Sequence, residues 1–150
     1  MSESPVDVAV ALLGYGTVGS AVHRLLEEGA DEIERATGHR LRVVRALVRD
    51  PAREREHAAP PDLLTDDFAA VRDDPDIALV AEVMGGLEPT GGYVLELLRA
   101  GTPVVTANKQ LVARSGPELF AAAAEGGAQI RFEASVCGAI PVVKLLRESL

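Results

Sequence analysis

Apolar residues in this chain come in short runs, and each run is followed by a stretch where they recur three or four positions apart. Residues 8–13 (VAVALL) are a nearly continuous apolar run, the pattern of a parallel strand covered on both faces. After it Val18, Val22, Leu25 and Leu26 share one stripe, with His23, Arg24, Glu27 and Glu28 mostly off it. That spacing predicts an amphipathic helix with those four residues inward. The helical pattern continues, broken at Gly29, through Ile33 to Thr37 and Gly38. Residues 41–48 read as a second strand, and the charged, proline-bounded stretch 49–61 as an exposed loop or short helix. A short third strand is expected at 63–64, with a turn of helix near 68–71.

Residues 77–84 (IALVAEVM) read as a fourth strand closed by Gly85 and Gly86. A helix with Tyr93, Val94, Leu97 and Leu98 inward then stops at Gly101. Residues 103–106 predict a fifth strand, and Ser115-Gly116-Pro117-Glu118 has the capping-box spacing that opens a helix. Residues 128–134 predict a sixth strand, and Pro141 is read as opening a last helix. The apolar stripe of that helix, Val142, Leu145, Leu146 and Leu150, is still running at the final residue. Strands alternating with helices predict an α/β, doubly wound parallel sheet. We therefore expect one such domain over residues 1–140. Residues 141–150 would begin a helix leading into a further domain, with the chain truncated before it.

Composition narrows the function classes. The net charge is −8 with no basic block, which argues against a nucleic-acid-binding face. No apolar run approaches the roughly 20 residues of a membrane-spanning helix. No basic segment precedes the first apolar stretch, so a signal peptide is not expected. One cysteine, Cys137, has no internal partner, which fits a reducing cytoplasm. Only Lys109 and Lys144 among the 15 cations are lysines. A lysine kept among arginines suggests a need for a compact amine that can titrate.

Gly14, Gly16 and Gly19 form GxGxxG (with Tyr15, Thr17 and Val18 between them) at the first strand-to-helix junction. There the glycines allow a tight turn, close backbone approach to a pyrophosphate, and close packing of helix on strand. The helix N-terminus offers unpaired N–H groups and partial positive charge to phosphates. The second strand is followed by Arg49 and then Asp50. An arginine there accommodates the 2′-phosphate of NADP, whereas an acid binds the ribose 2′-hydroxyl of NAD. The first side chain in line is Arg49, which favours NADP, and Asp50 keeps NAD open.

VMGGLEP after the fourth strand, VVTANK after the fifth and FEASVCGAIP after the sixth resemble the homoserine dehydrogenase family. The resemblance runs from about Val8 to the last residue, in the family's order. It implies a Rossmann-type NAD(P)-binding domain of an oxidoreductase that interconverts L-aspartate 4-semialdehyde and L-homoserine, on the route to threonine, methionine and isoleucine. It also implies a substrate and dimerisation domain beyond this chain, and hence a homo-oligomeric parent and an inactive isolated piece. On this resemblance Lys109 is one of two catalytic lysines, and the scarcity of lysine points the same way. Thr106, Asn108 and Lys109 would bracket the nicotinamide end of the cofactor, with Met84, Gly85 and Gly86 letting it pass close to the backbone. Glu133, Val136, Gly138 and Ile140 match positions where the family binds a sodium ion. Cys137-Gly138-Ala139 departs from the family's frequent Ala-Gly-Gly, and Lys144 is read as a surface cation. Two other readings stay open here: a nucleotide-sensing module without catalysis, and a related dehydrogenase for another small acid.

Overall fold

The computed structural model describes residues 5–60, 62–136 and 142–149. The chain forms two compact units, Met1–Leu79 and Val80–Leu150. In the first, β1 (Val6–Leu13) pairs in parallel with β2 (His39–Leu47), from Val6 opposite His39 to Leu13 opposite Leu47. β2 pairs in parallel with the short β3 (Leu64–Thr65), giving the order β3-β2-β1. The second half of β1 is fully buried, Val10 to Leu13, as its unbroken apolar run requires. The helices are α1 (Thr17–Glu28), α2 (Ala30–Thr37) and the single turn α3 (Ala69–Arg72). The stretch between β2 and β3 is an exposed loop. It is held by the Arg55 guanidinium, which donates to the carbonyls of Asp50, Pro51 and Arg53.

β4 (Ile77–Glu82) carries the chain into the second unit, where it pairs in parallel with β5 (Val104–Thr106). β5 pairs in parallel with β6 (Ile130–Arg131), giving the order β4-β5-β6. The helices here are α4 (Thr90–Arg99), α5 (Lys109–Gly126) and α6 (Val142–Ser149). The core of this unit joins Val94, Leu97 and Leu98 of α4 to Leu111, Leu119 and Ala122 of α5, all at most 1% exposed. Each buried Leu or Val contributes roughly 1.5–3 kcal/mol. The two helices converge at Gly126, where a Cβ would lie 2.0 Å from the Leu98 carbonyl oxygen. Among the described residues no helix is long and apolar enough to cross a membrane.

The expected alternation of parallel strands and helices holds in both units, but several local expectations do not. The inward face of α1 is Gly19, Ser20 and His23, whereas Val18 and Leu25 are 53% and 61% exposed. A tight strand-to-helix turn brings the first turns of helix so close to the strands that small side chains fit there and large ones do not. β4 ends at Glu82 rather than Met84, because the Glu82 side chain takes the Met84 and Gly85 N–H groups.

The capping-box pattern at Ser115 to Glu118 opens nothing. α5 starts at Lys109, capped by Asn108 Oδ1 on the Leu111 N–H at 3.1 Å, and runs through Pro117. A proline inside a helix removes one backbone bond and crowds the residue before it. That preceding residue is Gly116, which has no Cβ to clash, and the buried face continues on both sides of the proline. β6 is only two residues long, since a 3-10 turn at Glu133–Ser135 follows it. In α6 Val142 is half-buried and Leu146 is exposed; Pro141, Leu150 and the Leu145 side chain lie outside the described residues.

Candidate functional site

The glycine loop leaves β1 through Gly14, whose φ of 106° suits glycine. Its N–H donates to the Leu47 carbonyl at 2.9 Å, extending the β1–β2 pairing by one bond. Gly16 is the N-cap of α1, and no side chain caps that helix. A Cβ built on Gly16 meets no atom within 4 Å. The fold therefore has no need of glycine at this position, and the space a side chain would fill lies open beside the uncapped helix start. Behind the loop Tyr15 and His23 are buried, with the Tyr15 hydroxyl 2.8 Å from His23 Nδ1. His23 Nε2 faces Glu27 Oε1 at 3.5 Å. Burial, and then the Glu27 charge, push the Tyr15 phenol above its ordinary range, with Arg55 acting the other way. Tyr15, Ser20, His23, Glu27 and His57 line a cavity of about 380 Å³.

Arg49 and Asp50 follow β2 and are both exposed. Asp50 Oδ1 accepts the Ala52 N–H at 2.9 Å, so its carboxylate is engaged in its own turn. No ion pair is formed by Arg49 among the described residues.

In the second unit, the turns after β4 and β5 are tied together. Gly85 and Gly86 have φ of 71° and 75°, the left-handed conformation that a glycine pair adopts without strain. The Thr90 hydroxyl donates to the Gly85 carbonyl at 2.8 Å, and Asn108 Nδ2 donates to the Gly86 carbonyl at 2.6 Å. The Asn108 N–H donates to Thr106 Oγ1 at 3.0 Å. Thr106 in turn donates its hydroxyl proton to Glu82 Oε2. Lys109 is the first residue of α5 and is exposed. Met84 is 37% exposed.

The structure thus gathers Met84, Gly85, Gly86, Thr106, Asn108 and Lys109 around one network. The residue sequence reasoning missed is Glu82, which lies at its centre. A lone acid within an otherwise apolar strand was the available signal, since acids are almost never fully buried without partners.

Of the four positions matched to a sodium site, Gly138 and Ile140 lie outside the described residues, as does Cys137. Glu133 Oε1 accepts the Lys144 N–H at 2.9 Å. The Val136 N–H closes the 3-10 turn on the Glu133 carbonyl at 3.1 Å. Lys144 is a surface cation as expected, 3.9 Å from Glu148.

A glycine loop opening an uncapped helix after a buried parallel strand defines a nucleotide-binding α/β domain. The sequence model of the family described as "Homoserine dehydrogenase, NAD binding domain" matches residues 14–133. The chain belongs to that family. It is 43% identical to a homoserine dehydrogenase of Bacillus subtilis over 143 residues, which is 95% of this chain and 33% of that protein. It is 48% identical to one of Corynebacterium glutamicum, again over 95% of this chain and 32% of the relative. The crystal structure of a homoserine dehydrogenase from Thiobacillus denitrificans superposes with a TM-score of 0.87 at 46% identity, covering 96% of this chain and 33% of that one. The chain therefore has the Rossmann-type fold expected of it, and it spans about a third of the length of the curated relatives it matches.

Proposed function

We propose that this chain is the cofactor-binding part of an enzyme that interconverts L-aspartate 4-semialdehyde and L-homoserine with NADP(H). The observation that carries the reading is Gly16, a glycine at a helix start whose missing side chain leaves open space that the fold does not use. In this reading Gly14, Tyr15, Gly16, Thr17, Val18 and Gly19 cradle the pyrophosphate, their backbone amides donating to its oxygens. Arg49 pairs with the 2′-phosphate, because Asp50 is held in its own turn and the arginine beside it is exposed. Thr106, Asn108 and the Met84–Gly86 turn hold the nicotinamide end.

The bound cofactor supplies the hydride acceptor or donor. Lys109 steadies the alkoxide oxygen of the substrate and passes it a proton, which a guanidinium is poorly suited to do. The substrate's amino-acid end is left to residues beyond this chain, so the isolated 150 residues bind nucleotide without turnover. Sodium is assigned to Glu133, Val136, Gly138 and Ile140 by resemblance, where hard oxygen ligands suit such a cation. We place the protein in the cytoplasm, acting as a homo-oligomer.

Calorimetry with NADPH and NADH at one salt concentration tests this reading. Tight NADPH binding that weakens on Arg49→Ala until NADPH and NADH bind alike is the expected result. Preference for NADH in the wild type, unchanged by Arg49→Ala, would overturn the cofactor assignment. No binding of either nucleotide to a folded sample would overturn the function.

A further inference from the structure

We propose that Glu82 is a positioning residue, a buried carboxylate that clamps the turn after β4 to the turn after β5 and so fixes where α5 and Lys109 begin. The clamp stands on geometry alone, while its link to catalysis rests on the function proposed above. Glu82 is 0% exposed and forms no ion pair among the described residues. An acid in such a place is costly unless its oxygens are taken by donors. Here three donors converge on it: the Met84 and Gly85 N–H groups on Oε1, both at 3.0 Å, and the Thr106 hydroxyl on Oε2. Its own carbonyl accepts the Ala107 N–H at 3.1 Å.

The network closes on itself, and its direction is set by Glu82. A carboxylate only accepts, so the single Thr106 proton points to Glu82. The Thr106 oxygen is then left to accept the Asn108 N–H. Asn108 gives a side-chain N–H to the Gly86 carbonyl, and its side-chain oxygen accepts the Leu111 N–H. From Glu82 the path therefore runs through residues 84 to 86, across to Asn108, through Thr106 and back. Lys109 adjoins Asn108, the cap of α5, so the origin of that helix is set by the same ring of bonds.

Glutamine at 82 keeps the size and the acceptor facing Met84 and Gly85, but offers Thr106 an N–H. The hydroxyl proton then has no acceptor in the ring. The test compares wild type, Glu82→Gln and Thr106→Val in the full-length protein. It reads amide hydrogen exchange at Met84, Gly85 and Asn108, NADPH affinity by calorimetry, and kcat separately from KM. Both variants should speed exchange at those amides and weaken NADPH by about tenfold, as the loss of one hydrogen bond to a charged group does. The exchange of β1 amides should stay as in wild type, and kcat should fall more than KM rises. The double variant should be no worse than Thr106→Val alone, since Glu82→Gln acts through a bond that Thr106→Val already removes.

Exchange and affinity within twofold of wild type in Glu82→Gln would overturn the clamp while leaving the cofactor site standing. If wild type binds no NADPH, the function falls, and exchange at the three amides still decides the clamp. If Glu82→Gln does not fold, Thr106→Val carries the same comparison, and unchanged exchange at Met84 and Gly85 overturns the proposal.

Discussion

Gly16→Ala should leave the fold intact and weaken cofactor binding. The backbone there has φ of −91° and ψ of −154°, an extended conformation open to alanine. The added methyl meets nothing within 4 Å. No packing is lost, and the unfolded chain loses freedom, so stability should hold or rise by up to about 1 kcal/mol. Binding goes the other way. A phosphate oxygen bonded to a backbone N–H sits about 2.9 Å from the nitrogen, and a Cβ sits roughly 2.5 Å from the nitrogen of its own residue. An oxygen that lay over the glycine face must therefore retreat from the methyl. Retreat by about 1 Å forfeits at least one charge-assisted hydrogen bond, on the order of 2 kcal/mol. That amounts to about thirtyfold in Kd. Urea denaturation and NADPH calorimetry on wild type and Gly16→Ala measure the two effects side by side. Wild-type affinity in the variant would refute the cradle. A loss of stability beyond about 1 kcal/mol would show that the fold needs this glycine after all.

Other parts of the molecule lend themselves to three more tests. Gly126→Ala puts a Cβ 2.0 Å from the Leu98 oxygen and 2.8 Å from that of Arg99; forcing α4 and α5 apart should cost about 3 kcal/mol, read as a fall in thermal midpoint. Lys109→Gln removes a cation from a helix N-terminus, so it should stabilise the protein by about 0.3–1 kcal/mol, while turnover in the full-length protein falls at least about a hundredfold. A loss of both, or of neither, would remove Lys109 from the chemistry. Tyr15 has a folded pKa above its ordinary 10.0, so the native state holds its proton longer than the unfolded chain. Stability should be unaffected below pH 10 and should fall as pH rises from there through the folded value; denaturation midpoints should show that slope in wild type and lose it in Tyr15→Phe.

What could be read from the sequence was what local pattern determines. The run before Gly14 had to be a buried strand, and the glycine spacing placed the turn and helix after it. The stop at Gly38 and the exposed loop around Arg55 were likewise visible from single residues. The inward face of α1 was not, because hydrophobicity marked Val18 and Leu25 while the close approach at Gly19 and Ser20 selected for smallness. His23 is buried with the Tyr15 hydroxyl 2.8 Å from Nδ1 and the Glu27 carboxylate 3.5 Å from Nε2, partners that lie eight and four positions away. Ser115 and Glu118 suggested a helix start because their spacing is that of a capping box, whereas α5 runs through Pro117 with Gly116 before it. Glu82 was passed over as part of an apolar run. The donors that make its burial tolerable belong to residues 84, 85 and 106, and only the folded turns bring them to its oxygens. Thr106, Asn108 and Lys109 stand out by resemblance, and only the folded turns connect them to that acid.

Two of the three bonds that hold Glu82 come from main-chain amides, so the carboxylate is indifferent to which side chains those amides belong to. For the clamp, position 84 is therefore interchangeable in a way that position 106 is not: variants at Met84, scored by amide exchange at Gly85 and Asn108, should keep the clamp with every residue type except proline, which has no N–H to give. Position 85, held at φ of 71°, should return mostly glycine with some asparagine. A lineage can vary the exposed side chain at 84, and with it whatever that side chain touches, without loosening the carboxylate behind it.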